Sequence, residues 1–229
     1  SEILTFDGMV LRAPRSPCKV LLVAYESHSL TMEHPQPSQA PQVTLKTEGV
    51  TIIIKPDHKV TVNGREVSSR QTTEGKVKIW KTPDEIKVES PFMILRVYPR
   101  NNVVSAEVSG WTFGQVAGLL GTYDGEMAND FATSQGSKAS GLQELVKSWQ
   151  ENQSCQTPSI SSVSASQTPV LRSLQCQALL GIRSRCNPVV RPEPFMRMCH
   201  TSRSACDAAK AYQAVCASKG VKDTFPVAC

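Results

Sequence analysis

No apolar run in this chain of 229 residues approaches the ~20 needed to cross a bilayer as a helix, so no spanning segment is expected. Aromatic residues are scarce, at 6%, and the 25 Lys and Arg are scattered rather than gathered into a run, so a net charge of +5 has no focus. Both shortages argue against nucleic acid, whose binders show a clustered basic footprint. No two of the eight cysteines are spaced as Cys-x-x-Cys, and His200 is the only histidine near the cysteine-dense tail. A structural zinc site is therefore the weaker reading. The chain has no Gly-x-Ser-x-Gly elbow and no Ser/His/Asp constellation, and Asp57-His58 lies after Pro56 between strands with no nucleophile beside it, so an enzyme is not expected. No signal peptide is visible either. The chain opens at Ser1 in strand-like sequence and reads as a segment cut from a longer precursor.

What is present reads as an extracellular, mainly β protein. Cys18, Cys155, Cys176, Cys186, Cys199, Cys206, Cys216 and Cys229 are even in number, with six of them in the last quarter. That distribution predicts disulfides and hence an oxidising compartment. The sequon Asn152-Gln153-Ser154 agrees with secretion and marks Asn152 as a candidate glycosylation site. From Ile3 to about Val108, short runs rich in β-branched residues recur between turn residues, among them Val20–Tyr25, Gln42–Leu45, Val50–Ile54, Lys59–Val62, Val77–Trp80, Ile86–Val88 and Met93–Tyr98. Val103 to Trp111 extends the list, and Asn63-Gly64 is placed as a hairpin turn. No βαβ alternation appears, so the expected fold is an antiparallel β-sandwich. His34 to Pro41, rich in Pro and Gln, reads as a surface loop, and Gly141–Trp149 as one short helix.

Cys155 stands far from the cysteine-dense tail, and a bridge from it to Cys18 would close the β domain; sequence alone does not fix the connectivity. The expected organisation is a β domain over residues 1–155, a Ser/Thr/Pro/Gln-rich linker over 156–170, and a small disulfide-rich module over 171–229. About sixty residues are marginal for a core alone, so disulfides would carry that module. Helical patterns over Leu174–Ile182 and Asp207–Ala217 make it mostly helical.

The richest stretch is Gly118 to Phe131, in which glycines punctuate a run holding Asp124, Asn129 and Asp130. Calcium takes six to eight oxygen ligands, and a tight glycine turn lets one segment wrap an ion. The same residues also build ordinary surface turns. Both readings stand on these residues alone.

Thr5-Phe6-Asp7-Gly8, Cys18-Lys19-Val20-Leu21, and Gly118-Leu119-Leu120-Gly121-Thr122-Tyr123-Asp124-Gly125 through Asn129-Asp130-Phe131 together resemble the von Willebrand factor type D domain. The resemblance covers Ile3 to about Cys155. The tail, with Arg185-Cys186-Asn187-Pro188, Met198-Cys199, Ala205-Cys206-Asp207 and Tyr212 to Cys216, is similar to the C8 module that commonly follows such a domain. The resemblance implies a β-sandwich with structural Ca²⁺, its side-chain ligands being Asp7, Asp124, Asn129 and Asp130 and its backbone ligand the carbonyl of Glu126. Two departures matter. Thr122 stands where the family usually has Asn, which removes an amide oxygen, and Leu120 stands where it usually has Cys. Without that thiol the loop cannot attack a disulfide, since the thiolate is the nucleophile. The Gly-Leu-Leu-Gly form is similar to the type D domains of the large lipid transfer proteins, the group of vitellogenins, apolipophorins and crustacean clottable proteins. The resemblance implies a non-catalytic structural and interaction module of a large secreted glycoprotein. Its expected partners are other domains or chains of its own precursor and a receptor or assembly partner. The alternative is a multimer-forming module of a mucin-like or clotting protein.

Overall fold

A computed structural model describes residues 2–158, 169–180, 184–201 and 204–222. The chain divides into two compact units, Ile3–Ile160 and Ser161–Cys229.

The first unit is built from two antiparallel sheets, each made of strands consecutive in sequence. The six-stranded sheet comprises β3 (Val20–Tyr25), β4 (His28–Glu33), β5 (Gln42–Thr47), β6 (Val50–Ile54), β7 (Val60–Val62) and β8 (Arg65–Val67), in that order. The five-stranded sheet comprises β9 (Gln71–Glu74), β10 (Val77–Lys81), β11 (Ile86–Glu89), β12 (Met93–Tyr98) and β13 (Val103–Val108). β1 (Glu2–Leu4) and β2 (Val10–Arg12) form a separate pair around the Thr5–Gly8 turn. Alternation makes each strand two-faced: Val50, Ile52 and Ile54 of β6 point inward, as do Met93, Leu95 and Val97 of β12. Both sheets contribute to a single core that also takes in Leu119, Leu145 and Val146. Each fully buried Leu or Ile in it is worth about 1.5–3 kcal/mol of transfer free energy. Asn63 and Gly64 both have positive φ, 47° and 81°, in the two-residue turn that sets Val62 opposite Arg65.

The expected sandwich and most of its strands are found where β-branched residues are dense. Three local expectations need correction. Val103 to Trp111 is not one strand: β13 stops at Val108, and Gly110–Thr112 is a 3₁₀ turn. His34 is not at the surface like the loop after it but 3% exposed, beside Cys18, Met32 and Leu119. Burial, aided by Arg15, lowers its pKa to about 4, which keeps the imidazole neutral. The helix α2 (Pro169–Leu180) begins inside the stretch assigned to the linker, of which residues 159–168 lie outside the described residues.

β3 carries an irregularity in its pairing with β4 between Leu21 and Val23. The returning segment uses it. Leu119 N–H donates to Leu21 O at 3.1 Å, Leu120 N–H to Leu22 O at 2.9 Å, and Ala24 and Ala117 exchange two bonds of 2.7 and 3.0 Å. Further on, Leu21 N–H donates to Trp149 O at 2.8 Å and Glu151 N–H to Lys19 O at 2.9 Å. Helix α1 (Leu142–Ser148) buries Leu145 and Val146 between these two contacts.

The second unit holds α2, α3 (Glu193–Thr201) and α4 (Ala205–Ser218). Ser204 caps α4 by accepting the Cys206 N–H. Phe195, Met198 and Tyr212 fill its interior, and the Tyr212 hydroxyl donates to Asn187 Oδ1 at 2.6 Å. Disulfides Cys176–Cys199 and Cys186–Cys216 tie the helices. No helix among the described residues is long and apolar enough to cross a membrane.

Candidate metal centre

The loop after β13 is shaped by close backbone approach. A Cβ on Gly118, where φ is +144°, would lie 2.4 Å from Leu22 O, so only glycine lets the chain lie against β3 here. A Cβ on Gly121, at φ +87°, would lie 1.9 Å from Asp130 Oδ1. That glycine leaves room for a carboxylate.

Asp7 reaches the loop from the N-terminal turn. Its Oδ1 accepts Gly125 N–H at 2.9 Å and its Oδ2 accepts Asp124 N–H at 3.2 Å, across 118 and 117 residues of sequence. Phe6 N–H adds a bond to Leu120 O at 2.9 Å, and the Phe6 ring packs on Tyr123. Asp124 in turn organises the 3₁₀ turn beyond it. Its Oδ1 accepts Glu126 N–H at 2.9 Å and its Oδ2 accepts Asn129 Nδ2 at 2.7 Å. The Asn129 amide, then the Glu126 N–H and the contacts to Thr122 and Asp7, hold the Asp124 carboxyl below the ordinary carboxylate range.

Asp130 is different. It is 3% exposed; the Thr5 hydroxyl donates to its Oδ2, while its Oδ1 has no hydrogen-bond partner. Burial raises its pKa to about 6, the charges of Asp7 and Asp124 push the same way, and the Thr5 hydroxyl and the Thr122 backbone N–H oppose them. A buried carboxylate with one orphaned oxygen, near two further carboxylates, is a site short of positive charge.

Asp7, Asp124, Asn129 and Asp130 are thus brought together, with Glu126 exposed beside them. The Glu126 carbonyl accepts Asn129 N–H at 3.3 Å. Among the described residues no three His, Cys, Asp or Glu side chains converge as a finished metal cage. Backbone N–H groups and the Asn129 amide occupy the carboxylate oxygens instead. Asn129 presents its nitrogen to Asp124, and its Oδ1 accepts the Thr122 hydroxyl at 3.2 Å. Chemically the donor set fits a hard cation: all its donors are oxygens, they are mostly anionic, and Asp130 Oδ1 is unsatisfied. Sequence reasoning missed Thr5 as a functional neighbour. Its buried hydroxyl orients Asp130 and also accepts Met9 N–H at 2.9 Å, and the only signal was its place at the head of Thr-Phe-Asp-Gly.

Leu120, in the position of the absent thiol, packs partly buried against the core. Cys18 is bonded to Cys155, with sulfurs 2.02 Å apart. Cys206 is also disulfide-bonded, Cys229 lies outside the described residues, and no cysteine among those described is free. Asp57 Oδ1 accepts the Lys59 N–H at 3.1 Å in the turn between β6 and β7, with His58 at φ 62° between them, so the Asp57-His58 pair is a turn element. Asn152 is exposed, and its Oδ1 accepts both the N–H and the hydroxyl of Ser154, at 3.0 and 2.6 Å.

The sequence profile of the von Willebrand factor type D domain matches residues 1–137. Vitellogenin of Penaeus merguiensis is 52% identical over 229 residues, all of this chain and 9% of that protein. Alpha-tectorin of Mus musculus is 25% identical over 96% of this chain and 12% of its own length. Apolipophorins of Locusta migratoria are 22% identical over 82% of this chain and 6% of their own length. The chain spans about a tenth of the length of the curated relatives it matches.

Proposed function

This chain belongs to the von Willebrand factor type D domain family, and from that premise we propose that it is a non-catalytic structural and interaction module of a larger secreted glycoprotein of the lipid-transport or yolk type. Its family and its disulfides make it an extracellular protein. The observation that carries the narrower reading is the likeness to a vitellogenin along the entire chain, tail included. In this reading residues 171–229 act as a C8-like companion module, joined to the β domain by the Ser/Thr/Pro/Gln-rich linker. The pairing of the described cysteines supports a module that does not multimerise through its own thiols. An antibody to this chain, used on density-gradient fractions of secreted material from its source, should detect a band far longer than 229 residues in the buoyant, lipid-bearing fraction. A lipid-free protein of the chain's own size would refute the reading.

Structural Ca²⁺ is part of the same proposal. Asp7, Asp124, Asn129 and Asp130, with the Glu126 carbonyl, would hold it, and its positive charge would neutralise the buried Asp130. What supports this is the orphaned Asp130 Oδ1 and the bonds that already join Asp7 to the loop. Binding to the folded state alone raises the unfolding midpoint by mass action. The midpoint in calcium should therefore exceed that in chelator, and equal midpoints with no metal by elemental analysis would overturn the site.

A further inference from the structure

Beside the loop, Trp111 is 53% and Phe113 54% exposed, while Thr112 between them is fully buried. A pinned backbone displays these two rings. Thr112 anchors to Ser109 O through both its N–H, at 2.9 Å, and its hydroxyl, at 2.7 Å. Phe113 N–H donates to Gly110 O at 3.2 Å, and Gly114 N–H to Tyr123 O at 2.7 Å. Each ring is also oriented by one aromatic neighbour: Tyr25 lies edge-on to Trp111 with centroids 5.2 Å apart, and Tyr123 edge-on to Phe113 at 5.3 Å. Large apolar groups held open in this way mark contact surfaces.

The surrounding charge selects what can make that contact. Glu26, exposed, follows Tyr25 in the chain, and Asp124 follows Tyr123, its Cβ 3.8 Å from where a Gly114 side chain would begin. From Asn101 to Ser137 the sequence holds Asp124, Glu126, Asp130 and Glu107, the last paired with Arg96, and no Lys or Arg. Ring faces beside a carboxylate attract a cation, and a guanidinium suits both partners because it stacks flat and forks to a carboxylate. An anionic membrane meets repulsion at the same rim.

We infer that Trp111 and Phe113 form a docking surface for an arginine-bearing segment of another polypeptide, whose guanidinium groups stack on the two rings and pair with Glu26. The inference rests on the reading of the chain as an interaction module and gives that module its partner chemistry. Titration calorimetry on the whole chain tests it, with a short peptide of alternating Arg and Leu as probe. Lys-Leu and Glu-Leu peptides and vesicles of phosphatidylcholine or phosphatidylserine serve as comparisons. The Arg peptide should bind best and more weakly as salt is raised, and Trp111→Ala with Phe113→Ala should weaken it about tenfold. Each ring also packs on a tyrosine, so the double variant's unfolding midpoint and calcium response are measured beside its affinity. If its midpoint falls, Glu26→Gln, on an exposed turn, supplies the independent loss of affinity. Equal binding by the variants, no binding of the Arg peptide, or tighter binding by the Glu-Leu peptide or by vesicles would overturn the inference. Peptide binding without a calcium response would refute the calcium site alone, and a calcium response without peptide binding would refute the docking surface alone.

Discussion

Replacing Asp130 by Asn should have opposite effects with and without calcium. In chelator, the wild-type carboxyl has its pKa raised from 3.8 to about 6, chiefly by burial. A shift of about two units corresponds to about 3 kcal/mol of differential stabilisation between the protonated and ionised forms. The folded state holds its proton more tightly than the unfolded one, so stability is greatest below the unfolded value. It falls as pH rises through the interval from about 4 to about 6, and it stays low at neutral pH. The amide introduced by Asp130→Asn removes the ionisation and keeps an oxygen for the Thr5 hydroxyl. In chelator at neutral pH, the variant should therefore be up to about 3 kcal/mol more stable than wild type, about 6–12 °C in midpoint for a domain of this size. In saturating calcium the order should reverse, because the variant lacks an anionic ligand. Thermal unfolding across pH, read as the difference between the two proteins, cancels the opposite slope from Asp57, Asp124 and Glu144, whose carboxyls are lowered. A variant less stable than wild type in chelator, or two parallel pH profiles, would refute the account of Asp130.

The same geometry sets three further outcomes. Gly121→Ala should cost about 3 kcal/mol or more and abolish the calcium-dependent rise in midpoint, since its Cβ falls 1.9 Å from Asp130 Oδ1 on a left-handed backbone; denaturant unfolding would show it. The double variant Cys18→Ala, Cys155→Ala releases a loop of 137 residues and should lose up to about 5 kcal/mol by chain entropy, and an unchanged midpoint would mean that the termini of the β unit are held by hydrogen bonds alone. Asn152→Gln should remove one glycan-sized step in electrophoretic mobility from protein secreted by animal cells, because Asn152 is exposed with the Ser154 hydroxyl already on its side-chain oxygen.

Strands such as Val50–Ile54 were legible because β-branched residues alternate with turn signals. β4 was not, although it pairs on both sides, between β3 and β5. His28-Ser29-Leu30-Thr31-Met32-Glu33 carries one β-branched residue, and its strand conformation is imposed by its neighbours. β9, Gln71–Glu74, is an outer strand with two threonines but no apolar residue, so it shows no hydrophobic alternation. α3 begins between Pro192 and Pro194, at the start of a helix, where a missing N–H costs little, and two prolines so close together mask its helical pattern in the sequence. In the site, Asp124, Asn129 and Asp130 were visible because they are close in sequence. Asp7 entered only through the family resemblance, since no local pattern encodes a contact across 118 residues. The burial of Asp130 and the reversed use of the Asn129 amide are products of packing, and no spacing foretells them.

The return of the chain along β3 has a consequence for association between molecules. A terminal strand of a sheet presents a row of unpaired N–H and C=O groups that can recruit another molecule's strand. Here β3 is such a border, and the segments around Ala117–Leu120 and Trp149–Glu151 take up its hydrogen bonds at Lys19, Leu21, Leu22 and Ala24. The stretch that gathers the carboxylates is thus also the guard of the sheet's open border. Whatever tightens that stretch onto Asp7 also keeps the border closed to neighbouring molecules.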